Sequence, residues 1–248
     1  MTFVPIIESF LKARHYKAVQ PLAALIDMDG TLYDSMGNHA RAWQRMVQEL
    51  GIDCSYEEFF MHEGRTGAAT IDLIFERVYG RKATSQEHEE YYQRKATYFT
   101  QMPPVEVMPG AQAMISTLME AGVRRVLVTG SGQSSLINRL DADFPGAFPA
   151  EMRVTSRDVT KGKPHPEPYM RAMQIARVRP SQCIAIENAP LGVKSAVDAG
   201  AFTIAVTTGP IPYEEMEKAG ATVIFPSMED FAQKLPMLLF QLLTTTIE

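Results

Sequence analysis

Residues 22–35, LAALIDMDGTLYDS, constrain this chain more than any other stretch. Five apolar residues, Leu22, Ala23, Ala24, Leu25 and Ile26, run without interruption into an acid, a spacer, a second acid and a glycine. Such a run of small and branched apolar residues reads as a strand covered on both faces. Asp27 and Asp29 stand just past its carboxyl end, and Gly30 can take turn conformations that side-chained residues resist. Acids at the end of a buried strand are costly unless they are paired or bind a cation, so their placement asks for a chemical reason. A helix-capping Asp-Gly turn explains the local pattern, but not the polar signatures at the later strand ends.

The spacing has a chemical logic. Residues two apart on a strand point the same way, but the backbone turns at a strand end, so the two carboxyls can converge with different roles. One carboxylate can attack phosphorus to give an aspartyl-phosphate. The other can protonate the leaving oxygen and later deprotonate water. Bringing a phosphate dianion up to a carboxylate calls for a divalent cation, and Mg²⁺ suits oxygen ligands.

The rest of the chain divides by periodicity. Residues 5–18 read as a short amphipathic helix. From about residue 39 to 101 the pattern is helical, with Ala42, Trp43, Met46, Val47 and Leu50 on one face before Gly51. Ile71, Ile74, Phe75 and Val78 repeat the pattern before Gly80, and residues 85–101 form a third helix. Pro103, Pro104 and Pro109 read as a connector. Thereafter strands and helices alternate: helix 110–121, strand 125–129, helix 133–140, a weaker strand at 152–155, helix 166–177, strand 184–186 and helix 191–199. Strand 203–206, helix 213–218, strand 223–225 and helix 228–243 complete the chain. Alternation of this kind means a parallel sheet with helices on both faces. The expected fold is therefore α/β, a Rossmann-like parallel-sheet core with a small all-helical insertion after the first strand. Residues 1–35 and 105–248 form the core domain and residues 36–104 the insertion.

Three later strand ends carry polar residues, where an open parallel sheet binds its ligands. In VLVTGSGQ, Thr129 and Gly130 offer a hydroxyl and a main-chain N–H to phosphate oxygens at a helix N-terminus. GKPHPEPY delivers Lys163, an ammonium suited to neutralising a carboxylate and a phosphate, with His165 read as loop scaffolding. IAIENAPLGVKSA ends a buried strand in Glu187 and Asn188 ahead of a helix that starts after Pro190.

These four motifs, in this order, resemble those of the haloacid dehalogenase superfamily, over residues 22–208. The resemblance implies Asp27 as nucleophile, Asp29 as acid/base, and Mg²⁺ held by Asp27 and the Asp29 main-chain carbonyl. It further implies Thr129 and the Gly130 amide as phosphate-binding groups and Lys163 between Asp27 and phosphate. Glu187 and Asn188 fall where two acids commonly stand, one or both serving the metal. Asn188 departs from that pattern, since its carbonyl oxygen can bind Mg²⁺ but brings no charge. The helical insertion takes the place of the family's cap.

Within the superfamily the chain resembles β-phosphoglucomutase-like proteins and inorganic pyrophosphatases of the same branch. His39 stands twelve residues after Asp27, where the mutases carry a histidine that contacts the acid/base. In MHEGRTGA, Glu63 and Gly67 occupy places where the mutases present a Lys and an Arg, and Arg65 is displaced. A carboxylate facing a polyanion repels it. Glu63 joining the metal, in place of the charge missing at Asn188, resembles the pyrophosphatase branch. The other reading pairs Glu63 with Arg65 or a nearby lysine at the surface. Lys95, in the last helix of the insertion, can meet a second phosphoryl group. The expected function is thus a Mg²⁺-dependent phosphohydrolase acting on pyrophosphate, with β-phosphoglucomutase or sugar-phosphate phosphatase as the alternative.

Composition excludes several other classes. A net charge of −5 speaks against general nucleic-acid binding. Cys54 and Cys183 have no paired spacing, so neither a disulfide framework nor a zinc site is expected. The N-terminus lacks a secretory h-region, and the apolar run at 235–243 is broken by Gln241 and too short for a bilayer. The expectation is a cytoplasmic enzyme with a small phosphorylated substrate, no membrane and no protein partner. A dehalogenase would lack Asp29, a receiver domain would lack the insertion, and a binding-only relative would lose Asp27 or Asp29.

Overall fold

The computed structural model describes residues 2–132 and 134–248. Six strands form one parallel sheet: β1 (Ala23–Ile26), β2 (Arg124–Val128), β3 (Arg153–Val154), β4 (Cys183–Glu187), β5 (Phe202–Val206) and β6 (Val223–Phe225). Their order is β3-β2-β1-β4-β5-β6, so the strand bearing the paired acids lies centrally. All four residues of β1 are buried, as a strand covered on both faces must be. Leu22, which the sequence places in the same run, is 44% exposed and precedes the strand.

Alternation along the strands feeds two cores. Ala24 and Ile26 face a layer built on α1 (Val4–Arg14), α6 (Ala111–Glu120) and α12 (Met228–Thr244), with Ile7, Leu11, Met114, Phe231 and Leu235 in the same cluster. Ala23 and Leu25 face the opposite layer, where α9 (Glu167–Ala176) and α10 (Pro190–Asp198) contribute Tyr169, Ala172 and Ala196. A short helix, α11 (Tyr213–Lys218), links β5 to β6.

Between β1 and α6 lie four helices and no strand: α2 (Met36–Gln48), α3 (Glu58–Met61), α4 (Gly67–Tyr79) and α5 (Ser85–Thr100). Thr66 caps α4 by accepting the Ala69 N–H, and Thr84 with Glu87 forms a reciprocal capping box on α5. Trp43, Phe59, Ile71, Ile74 and Phe75 form the apolar centre of the insertion, and the same cluster takes in Val193, Ala205 and Ile211 of the core. The insertion thus rests on the sheet's carboxyl edge through apolar contact as well as through its polar loop.

One expected element differs. In place of one helix over 133–140, two single turns occur, α7 (Ser134–Ile137) and α8 (Leu140–Asp143). Gln133, the first residue of that expectation, lies outside the described residues. Three polar or glycine positions, Ser131 to Gln133, separate Gly130 from the first turn, and Gly132 donates its N–H to Tyr92 of α5 instead of starting a helix.

Candidate active site

Parallel register sets the site's geometry. Ile26 is level with Ile186 on β4 and with Leu127 on β2, so the three chains leave the sheet together. Asp27 therefore emerges beside Glu187. Two buried carboxylates on adjacent strands require a cation between them, and Lys163 supplies it. Its Nζ lies 2.5 Å from Asp27 Oδ1 and 2.6 Å from Glu187 Oε1, and donates to the Val128 carbonyl at 3.0 Å. Burial works against the ammonium, but Asp27 and Glu187 hold Lys163 above the usual lysine range. Burial pushes the Asp27 carboxyl up to about 8, opposed by Lys163 and reinforced by Glu187 and Asp29.

Asp29 is held from the other side. Its Oδ1 accepts from Ser35 Oγ at 2.7 Å and from His39 Nε2 at 2.9 Å. His39 Nδ1 in turn receives Lys95 Nζ at 2.6 Å, which places the imidazole proton on Nε2. Burial would raise Asp29, but His39, Ser35 and the charge of Lys95 bring it below its usual value. Burial and Lys95 lower His39. Lys95 sits among Trp43, Tyr92 and Phe99, its Nζ 5.3–5.7 Å from the three ring centres, and burial brings it down to about 8.

A cavity of about 60 Å³ opens between these networks, lined by Asp27, Asp29, His39, Glu63, Arg65 and Lys95 together with Thr129 and Gly130. The structure thus brings together nearly every residue expected at the site. Gly130 must lack a side chain, because a Cβ there would lie 2.3 Å from the Gly64 carbonyl oxygen of the loop before α4. Arg65 reaches the cavity with its Nε buried and without a hydrogen-bond partner.

Glu63 is 6% exposed, and its Oε1 accepts from Asn188 Nδ2 at 2.8 Å across the insertion–core boundary. Pairing with Arg65 at the surface is therefore not what occurs. Gly30, at φ +79°, makes room for this contact: a Cβ there would fall 1.9 Å from Asn188 Nδ2. Glu187 ends β4, where the sequence places it, and has a further task. It faces Lys163 and the Tyr169 hydroxyl (2.5 Å), and its Oε2 accepts the Asn188 N–H at 3.2 Å. Glu187 thus anchors Lys163 through Oε1, while Oε2 takes a single backbone N–H and keeps a lone pair for a cation. Sequence reading missed Tyr169, Ser35 and Tyr92. Ser35 closes the LYDS segment and could be found there, whereas nothing local marks the two tyrosines.

Among the described residues, no group of three or more His, Cys, Asp or Glu side chains has the arrangement of a metal centre. The oxygen donors expected for Mg²⁺ are more mixed: the Asp27, Glu63 and Glu187 carboxylates, the Asp29 carbonyl and the Asn188 amide oxygen. Charge supports the fit. Asp27, Asp29, Glu63 and Glu187 are buried, and among the described residues only the lysines Lys163 and Lys95 are buried cations. Burial raises the Glu63 carboxyl well above its usual value, and Asp27, Asp29 and Glu187 add to the rise despite the Asn188 bond. A divalent cation beside Glu63 and Asp27 balances that excess with hard oxygen donors. No described helix is long and apolar enough to cross a membrane.

The comparisons agree with this geometry. Hexitol phosphatase A of Escherichia coli (strain K12) is 31% identical over 182 residues, covering 73% of this chain and 81% of that protein. β-Phosphoglucomutase of Bacillus subtilis (strain 168) is 25% identical, covering 75% and 84%. A solved structure described as a putative β-phosphoglucomutase from Bacteroides vulgatus superposes with a TM-score of 0.93 at 42% identity, covering 97% of this chain and 98% of that one. Residues 22–200 match the haloacid dehalogenase-like hydrolase family. With β1 carrying Asp27 and Asp29 at the centre of the sheet, the chain belongs to the haloacid dehalogenase-like hydrolases, in their β-phosphoglucomutase-like branch.

Proposed function

We propose that this chain is a Mg²⁺-dependent phosphohydrolase that works through an aspartyl-phosphate on Asp27 and takes a sugar or polyol phosphate as substrate. The observation that carries the chemistry is Asp27 at the cavity wall, one oxygen fixed by Lys163, with Thr129 and Gly130 of the neighbouring strand end lining the same cavity. The substrate class rests on the relatives, which are named for a hexitol phosphatase and a phosphoglucomutase.

The residues divide the work between two half-reactions. A carboxylate oxygen of Asp27 bonds to phosphorus as the bond to the leaving oxygen breaks, and Asp29 delivers a proton to that oxygen. Water then attacks the phosphoryl group, gives its proton to Asp29, and releases Asp27. The hydrogen bonds from His39 and Ser35 hold Asp29 ionised, the state the second half needs. An arriving phosphate dianion raises Asp29 towards the protonated form that the first half needs. Thr129, the Gly130 amide and Lys163 take up charge on the phosphoryl oxygens. Asp27, the Asp29 carbonyl, Asn188 and Glu63 would hold Mg²⁺, which when bound neutralises phosphate charge beside the nucleophile. Residues 36–104 act as a cap that brings His39, Glu63, Arg65 and Lys95 to the core and excludes water.

Pyrophosphate is the second reading, and the Glu63–Asn188 pair supports it. A carboxylate where a mutase needs a cation suits a compact substrate whose charge is met by metal. The relatives reported above lend this reading no support, since pyrophosphate is in none of their names. Phosphate release should be measured for hexose phosphates, hexitol phosphates and pyrophosphate, with β-glucose 1-phosphate isomerisation assayed in parallel. Asp27→Asn should abolish all of these. We expect kcat/KM for a hexose or hexitol phosphate to exceed that for pyrophosphate. The reverse order, with Glu63→Ala raising the Mg²⁺ requirement and cutting pyrophosphate turnover tenfold, would replace it with the pyrophosphatase reading.

A further inference from the structure

Next to the reaction cavity lies a second, much larger one. The first measures about 60 Å³ and the second about 720 Å³. On a scale where one water needs about 10–15 Å³, the inner cavity has room for a phosphoryl group but not for a sugar. Tyr92 and Gly67 line both, so the two cavities abut there. The Tyr92 ring lies directly on Gly67, where a Cβ would fall 2.2 Å from Cδ2. Its hydroxyl accepts the Gly132 N–H at 3.1 Å, so a side chain of α5 reaches the core loop after β2 and forms the wall between the chambers.

The outer chamber is polar without being cationic. Gln93 and Thr97 of α5 stand on one side, and Ser156 and Thr160 of the loop after β3 on the other. Arg157 is the one Lys or Arg among its described lining residues, and Glu89 offsets it. A second phosphate would meet too little positive charge here. Hydroxyl and amide groups each donate and accept, which matches the hydroxyls of a neutral polyol or sugar.

We propose that the outer chamber is the leaving-group subsite for an uncharged, polyhydroxylated body, and that Tyr92 is the specificity-determining partition. The phosphoryl group sits within, the polyol without, and the ester oxygen lies at the Tyr92 passage. The proposal rests on the phosphomonoester reading above and adds where the leaving group goes and what chemistry receives it.

The test uses the full chain with Mg²⁺ and two substrates, a hexitol phosphate and acetyl phosphate, whose leaving group is too small to need the outer chamber. Thr97→Trp and Ser156→Trp fill that chamber from opposite walls. Each should lower the ratio of kcat/KM for hexitol phosphate over acetyl phosphate at least tenfold, through KM. The ratio does not depend on the fraction of enzyme that is correctly folded, so partial misfolding cannot imitate the effect. Tyr92→Ala, which removes the partition, should reduce the preference at least fivefold. Wild-type ratios in both tryptophan variants would overturn the subsite while leaving the phosphomonoester reading in place. A wild-type enzyme that cleaves pyrophosphate but neither the hexitol phosphate nor acetyl phosphate would overturn that reading, and the subsite with it.

Discussion

Lys163 and Lys95 are each 2% exposed, and both point towards the paired aspartates, yet their surroundings are opposite. Lys163 stands between two carboxylates and is held above the usual lysine range. Lys95 stands among three aromatic rings, donates to a neutral imidazole, and is brought down to about 8. Burial is equal; compensation is not. An ammonium keeps its charge in the interior when carboxylates face it, and holds it loosely when rings and a distant carboxylate do. The core therefore provides a fixed charge, and the insertion a charge that titrates near physiological pH.

Removing Lys163 should have the largest effect. Lys163→Met leaves Asp27 and Glu187 side by side without their cation, which is expected to cost about 3–5 kcal/mol of stability. Activity should fall at least 1000-fold. Urea unfolding and phosphate release at saturating Mg²⁺ check both, and wild-type stability in this variant would break the contrast between the lysines.

Lys95→Met should behave differently. An apolar side chain of similar length suits the aromatic surroundings, so stability should change by less than about 1 kcal/mol. Activity should drop about 10–100-fold through loss of the bond to His39, a difference of about 1.4–2.8 kcal/mol in transition-state stabilisation. A loss of stability as large as that for Lys163→Met would show that the two sites are energetically alike.

The low value for Lys95 also sets a sign for pH. The ammonium is lost as pH rises through about 8, so kcat/KM for an anionic substrate should decline with an apparent pKa near 8. Lys95→Arg should move that limb upward; a limb that stays put excludes Lys95 as its source. Stability runs the other way. Between about 8 and the ordinary 10.5 the unfolded chain binds the proton and the folded one does not, so Lys95 contributes rising stability across that window. The gap in unfolding free energy between Lys95→Met and wild type should shift in favour of wild type from pH 7 to 9.5.

The smallest effect concerns the seam between core and insertion. Gly130→Ala places a methyl against the Gly64 carbonyl oxygen and pushes the loop before α4 outward. Lys163 packs its stem beside Gly64 but keeps its core partners Asp27, Glu187 and the Val128 carbonyl, so its charge should change less. Lys95 should become more accessible to water and its alkaline limb should move up, with activity reduced about threefold to tenfold, or 0.7–1.4 kcal/mol. A pH–rate profile identical to wild type would show that the seam does not set the Lys95 environment.

Much of this protein can be read from local sequence. The unbroken apolar run before Asp27 specifies a doubly covered strand, and β1 is buried throughout. Alternation of strand and helix after residue 110 specifies a parallel sheet, and helical spacing marks the insertion. The acids Asp27 and Asp29 are legible because a charge at the end of a buried strand has no packing explanation. Tertiary structure decided the partners. Glu187 reads as a metal ligand, and only the β1–β4 register, which sets it beside Asp27, shows that its Oε1 also holds Lys163 and the Tyr169 hydroxyl. Glu63 pairs with Asn188, 125 residues away, and Lys95 with His39, 56 residues away, across loops whose path no local pattern encodes. Local propensity depends on a residue's neighbours in the chain, whereas the charge state of a buried group depends on what faces it in space. That is why the sequence determines which residues reach the site, and the fold alone determines which of them hold a proton.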